Sequence, residues 1–112
     1  MEHKDLGKTS TGIQPNVAAL LSYVLGFVTG IIFYLIEKEN KFVRFHAMQS
    51  IVTFGFLFVL GIILTFIPFI GWILLPILWI VNIVLWVVLM VKAYQGLYFK
   101  LPMAGDIAEK KS

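Results

Sequence analysis

Residues 42–50 read Phe-Val-Arg-Phe-His-Ala-Met-Gln-Ser and gather Arg44, His46, Gln49 and Ser50 where a long apolar run begins. On a helix, His46, Gln49, Ser50 and Thr53 recur at i, i+3, i+4 and i+7 and share one face. An imidazole, a carboxamide and two hydroxyls on one face can exchange hydrogen bonds, grip a backbone segment or line a polar path. Arg44 falls off that face, near Met48 and Ile51, where its long stem lets the guanidinium snorkel to lipid phosphates. Two uses stay open. The stripe holds a loop, ligand or translocating segment at the mouth of the membrane, or His46 and Arg44 merely satisfy backbone carbonyls and the carboxylates of Glu37 and Asp106.

Other chemistry is sparse. His3 and His46 are the only histidines, cysteine is absent, and no His/carboxylate pair has metal-ligand spacing. Glu37 and Glu39 flank Lys38 on a short loop, which reads as a solvated charge cluster. No phosphate-binding glycine loop or Ser/His/Asp set is present. The expectation is a protein with no catalytic centre, no cofactor and no metal.

The elements that position these residues follow from hydropathy. Residues 45–91 contain no Asp, Glu, Lys or Arg, a run about twice the ~20 residues one helix needs to cross the hydrocarbon. Pro68-Phe69-Ile70-Gly71 divides it. With 60% hydrophobic residues and only 13% charged ones, the chain reads as an integral membrane protein of one domain. The net charge of +3 sits at the flanks of apolar spans, so it speaks for headgroup contacts and topology and against a nucleic-acid partner.

The predicted fold is all-α: a three-helix transmembrane bundle with a short interfacial C-terminal helix. The spans fall at about 17–36, 47–67 and 72–91 within a domain covering 16–110, after a disordered tail at 1–15. The first stretch is too long for a signal-peptide core and ends in Glu37-Lys38-Glu39. Asn16 is placed to cap the first helix after Pro15, and Pro76 lies early in the third. Tyr94, Leu97, Tyr98 and Leu101 recur at helical spacing, so 94–101 is expected to be an amphipathic interfacial helix ended by Pro102, or a short continuation of the third span.

Lys38, Lys41 and Arg44 in the first loop, with Lys92, Lys100, Lys110 and Lys111 after the last span, outnumber Lys4 and Lys8. Three spans then put the N-terminus outside and the C-terminus in the cytoplasm. Alternatively, Gly26 and Gly30 break the first segment into a re-entrant pair and return the N-terminus to the cytoplasmic side.

Two further patterns concern packing. Ala18, Ser22, Gly26 and Gly30 form a small-residue ridge, suited either to an oligomer interface or to the chain's own second or third span. Trp72, Trp79 and Trp86 repeat every seven residues with Asn82 on the same side, a stripe suited to a neighbouring helix or subunit. Asn82 lies near mid-bilayer, where Thr29 is its candidate partner; the pair is either interhelical glue or part of a polar path. The expected partners are the lipid bilayer and a homo-oligomer or other membrane proteins.

Phe42, Arg44, Phe45, His46 and Gln49, read with Leu101-Pro102-Met103-Ala104-Gly105-Asp106-Ile107-Ala108, resemble the Tic-twenty family, a chloroplast inner-envelope import component, and more closely its prokaryotic relatives of unknown function. Arg44 and His46 match the family's first element; Pro102, Asp106 and Ala108 match the second. The plastid proteins look four-spanned, whereas this chain has room for three. The resemblance implies a subunit of protein translocation, insertion or membrane organisation in the inner membrane of a prokaryote. The competing expectations are an oligomeric small-solute or ion channel and an inert packing subunit. Both motifs fall on the same predicted side, so Arg44 or His46 is expected to pair with Asp106 and pin the C-terminal segment over the helix ends.

Overall fold

A computed structural model of the chain describes residues 6–112, which leaves His3 and Lys4 outside the described residues. Five helices follow in order: α1 (Pro15–Val24), α2 (Phe27–Ile36), α3 (Lys41–Thr65), α4 (Ile70–Tyr94) and α5 (Ala104–Lys111), with no strand among the described residues.

The frame is the antiparallel α3–α4 hairpin. Each helix has 25 residues, and among the described residues only these two are long and apolar enough to cross a membrane. At about 1.5 Å per residue each is roughly 37 Å long, enough for a hydrocarbon core of ~30 Å. Asn40 starts α3 as its N-cap, its side-chain oxygen accepting the Val43 N–H at 3.0 Å. The Lys41 and Tyr94 ends meet at one end of the hairpin, the proximal end; residues 66–69 turn the chain at the distal end.

The expected first span at 17–36 is instead two short helices, a correction that traces to Leu25-Gly26. Gly26 adopts φ +61°, open to glycine and strained for residues carrying a Cβ. Ala18 and Phe33 pack in one cluster with Val43 and Ala47, whereas Gly26 reaches Phe54, farther along α3. The chain therefore descends through α1, turns at Gly26 and climbs back through α2. This is the re-entrant alternative, and it places residues 6–14 and the 37–40 loop together at the proximal end. Three spans would instead have put these two segments at opposite ends.

Asn16 does not cap α1. The helix begins at Pro15, and the Asn16 amide donates to the Tyr94 carbonyl at 3.1 Å, tying α1 to the end of α4. Residues 6–14, expected to be disordered, are held by Asn40 Nδ2, which donates to the carbonyls of Leu6 (2.8 Å) and Lys8 (3.1 Å).

The amphipathic helix expected at 94–101 is also absent. Gly96, at φ +79°, ends α4 by giving its N–H to Ala93 O while the Leu97 N–H reaches Lys92 O, the paired bonds of a Schellman stop. Residues 97–101 then run without helix along α3, turn at Pro102-Met103, and return as α5 with Ala104, Gly105 and Ala108 buried. Two folded-back segments thus flank α3, α1–α2 and the 97–111 strap.

Most of the buried core, Ala19, Tyr23, Phe42, Leu89 and Ala93 among it, lies in this proximal half, with Leu57 and Leu64 extending it along α3. Beyond the tip of the α1–α2 turn, where Phe27 meets Phe58 at 5.3 Å, α3 and α4 continue alone, with Ile62, Phe66, Phe69 and Ile73 exposed. Such a surface belongs in lipid.

Candidate functional site

The polar stripe of α3 faces inward. His46, Gln49 and Ser50 are fully buried, and each finds partners on the two folded-back segments. The Tyr23 hydroxyl lies 2.6 Å from His46 Nδ1, and His46 Nε2 lies 2.8 Å from the Leu97 carbonyl. A carbonyl only accepts, so Nε2 carries the proton, and a neutral ring then accepts at Nδ1 from Tyr23. Gln49 Nε2 donates to the Tyr23 hydroxyl (3.1 Å) and to the Phe99 carbonyl (2.8 Å), while its Oε1 accepts the Leu101 N–H at 2.9 Å. The result is a directed chain from Gln49 through Tyr23 and His46 to the strap backbone. Phe42 and Phe45 close it off, their rings 4.7 and 5.1 Å from the imidazole in edge contacts.

The same stripe repairs the break in the α1–α2 segment. Ser50 Oγ donates to the Gly26 carbonyl at 2.8 Å, and Trp86 Nε1 donates to the Tyr23 carbonyl at 2.7 Å. Carbonyls freed by a helix break inside a membrane need such donors. Thr29 serves the bend too: its hydroxyl lies 3.1 Å from Ser22 O and 3.3 Å from Gly26 O and accepts the Leu25 N–H. It therefore does not pair with Asn82 as expected. The small ridge turns inward as well. Ala18 and Ser22 are buried, and Gly30 lies so close to α3 that a Cβ there would be 2.9 Å from the Ala47 carbonyl. Its partner is the chain's own α3, the expected second span.

Arg44 sits at the proximal rim. Its Nη1 donates to the carbonyls of Tyr34 (2.9 Å) and Glu37 (2.8 Å), and its Nε to the Ser112 carbonyl at 3.2 Å. The guanidinium caps the end of α2 and ties it to the end of α5, aided by Tyr34, whose hydroxyl donates to Lys111 O at 2.6 Å and whose ring lies under the guanidinium at 4.1 Å. The expected pairing of Arg44 or His46 with Asp106 is not made. Asp106 faces outward to Lys100 at 3.1 Å, which also meets Glu109 at 2.9 Å. The C-terminal segment is pinned all the same, through backbone carbonyls. Pro102 marks the turn that lets it fold back.

Glu37 is no solvated charge. It is fully buried, and its carboxylate accepts from the Ser10 N–H and hydroxyl (both 2.8 Å) and the N–H groups of Asn40 (3.0 Å) and Glu39 (3.1 Å). Burial alone pushes its pKa up, but the donors outweigh it and hold the carboxyl down at about 2.

Sequence reasoning missed Tyr23 and Glu37 as functional positions. The available signals were a phenol inside an apolar segment, which needs a partner when buried, and an acid immediately after that segment. Among the described residues no group of three His, Cys, Asp or Glu side chains is placed to hold a metal.

The family model described as the magnetosome magnetite crystal formation protein family matches residues 10–108, a range that takes in both motifs, the bent first segment and most of α5. A UPF0132 membrane protein of Methanocaldococcus jannaschii is 54% identical over 107 residues, 96% of this chain and 96% of that protein. A UPF0132 membrane protein of Archaeoglobus fulgidus is 54% identical over 99 residues, 88% of this chain and 96% of its own length. No solved structure matches the chain. None of these matches is named for plastid import, so the Tic-twenty resemblance rests on the two motifs alone. Matched along nearly its whole described length, the chain belongs to the magnetosome magnetite crystal formation protein family, together with the UPF0132 membrane proteins of archaea.

Proposed function

We propose that this small membrane protein is a non-catalytic organiser of the bilayer, acting through its shape. The observation that carries the reading is the uneven girth of the molecule. Both folded-back segments surround the proximal half of the α3–α4 hairpin, and the distal half is two helices with an apolar surface. Embedded in a membrane, such a body displaces more lipid in one leaflet than in the other and fits best where the leaflet at its broad end is stretched. The positive side chains Lys38, Lys41, Lys110 and Lys111 cluster near that end, where anionic headgroups attract them and the positive-inside tendency favours the cytoplasm.

The polar stripe supports this reading over a conduit. Tyr23, His46, Gln49 and Ser50 spend their hydrogen-bonding capacity on one another and on the chain's own backbone. Satisfied groups of this kind fix the position of the folded-back segments and leave little to coordinate a passing solute. The family description concerns magnetite crystals and the archaeal relatives are named as membrane proteins; the shaping role rests on the girth of this chain.

The test is curvature preference. With the full chain labelled and reconstituted with its broad end in the outer leaflet, its density per lipid should be higher on narrow tubes drawn from giant vesicles than on the flat parent membrane. Equal density on tube and parent would overturn the reading. So would ion flux that rises with protein density, or reproducible co-extraction of protein-translocation components in mild detergent.

A further inference from the structure

Along α4, Trp72, Leu75, Trp79, Asn82, Trp86 and Leu89 alternate at intervals of three and four, the spacing of a two-helix seam. The chain covers the proximal end of this seam itself. Leu89 is fully buried in the cluster with Ala19, Tyr23 and Ala93, and Trp86 donates to the Tyr23 carbonyl. α1 then ends at Val24, and beyond its cover Trp79 and Trp72 are 65% and 55% exposed.

Asn82 lies where the cover stops. Its side chain makes no hydrogen bond among the described residues. A carboxamide offers two donors and an acceptor, and acyl chains supply partners for none of them. Trp79, Asn82, Ile83 and Trp86 surround a notch of about 240 Å³ on α4, beside a hollow of about 440 Å³ that Trp79 and Asn82 share with the Gly26 turn and α3. Positions i, i+3, i+4 and i+7 are the four corners of the hole that receives a knob from a facing helix.

We propose that the occupant is a second copy of this chain. Two copies side by side in one bilayer keep their broad, charged ends on the same side, so their α4 helices run parallel and equal residues meet at equal depth. The knob that enters this hole from a parallel partner is the seam residue at the same level, Asn82 of the second copy. Each notch receives the other's carboxamide, and the two amides pair donor to acceptor across a two-fold axis. Acyl chains would fill the notch and leave the amide unpaired, and an unrelated helix would need a polar group at this depth. A second copy brings one by symmetry.

The chain contains no cysteine, so single cysteines report cleanly. In bilayers containing only this full-length protein, Ile83→Cys should form a disulfide-linked dimer under mild oxidation. Val84→Cys, on the far side of α4 and 54% exposed, should not. Asn82→Leu should weaken self-association, read by energy transfer on dilution into lipid, by roughly fivefold, the scale of one interhelical hydrogen bond. Because the amide has no hydrogen-bond partner among the described residues, the same variant should unfold like the parent in a detergent that keeps it monomeric. Equal crosslinking at residues 83 and 84, or self-association indifferent to Asn82→Leu, would overturn the proposal. So would a protein monomeric at every lipid dilution, which would assign the notch to lipid or to a different partner.

Discussion

The phenol of Tyr23 stands between two side chains that need it for opposite reasons: His46 Nδ1 takes its proton, and Gln49 gives it one. Removing the hydroxyl strands an acceptor and a donor together in a fully buried place. Tyr23→Phe keeps the ring packed on Phe54 and should still cost about 1–3 kcal/mol in reversible unfolding from mixed micelles. Placing it in a His46→Leu background should show strongly non-additive losses, because the second substitution removes the acceptor that the first one strands. Additive losses would mean that the hydroxyl and the imidazole act separately. The α3 side of this arrangement was legible in the sequence, since His46, Gln49 and Ser50 fall on one face by spacing alone. Tyr23 was not, because only the turn at Gly26 brings α1 back against α3, and spacing along a chain does not reveal a fold-back. For the same reason Asn82 was matched with Thr29, whose hydroxyl is used locally at the bend.

At the scale of elements, hydropathy located the two long helices and misjudged the segments around them. Residues 17–36 are apolar throughout, and an apolar run of that length fits one straight helix as well as two short ones. Gly26 and Gly30 were the local hints of a break, and the turn falls at Gly26. The strap erred the other way: its helical spacing is real, but Gly96 stops α4 and the side chains of His46 and Gln49 take over the backbone groups of 97–101. The N-terminal segment is fastened by charge. Glu37 holds the Ser10 backbone and hydroxyl only as a carboxylate, and its folded pKa of about 2 lies below the ordinary 4.5. A depressed pKa means that this contribution is complete above pH 4.5 and fades as the pH falls toward 2. An environment-sensitive dye on Lys8→Cys should therefore report release of residues 6–14 across that acidic window and no change above it. Glu37→Gln should weaken the attachment at neutral pH and abolish the titration. A dye signal that changes only near neutrality would place the anchor elsewhere.

For the whole molecule, the decisive consequence is which ends share a side. The α1–α2 segment folds back on itself, so residues 6–14, the 37–40 loop and the end of α5 gather at the proximal end while, among the described residues, 66–69 lie at the other. The three-span reading counted the same lysines and put Lys8 opposite Lys110. Single cysteines decide between them. In sealed vesicles, an impermeant thiol reagent should reach Lys8→Cys, Lys38→Cys and Lys110→Cys from one side together, and the positive-inside tendency makes that side cytoplasmic. Ile67→Cys should resist the reagent from that side. Labelling of Lys8→Cys and Lys110→Cys from opposite sides would restore the three spans, and with them a molecule of even girth. The α4 seam adds a geometric consequence. α1 occupies its proximal part, so two copies can touch only along the distal half and must diverge toward their broad ends. Pairing therefore makes the displaced volume of the two leaflets more unequal, and Asn82→Leu should lower the curvature preference as well as self-association. If it abolishes pairing and leaves the preference unchanged, the girth of the single chain is sufficient.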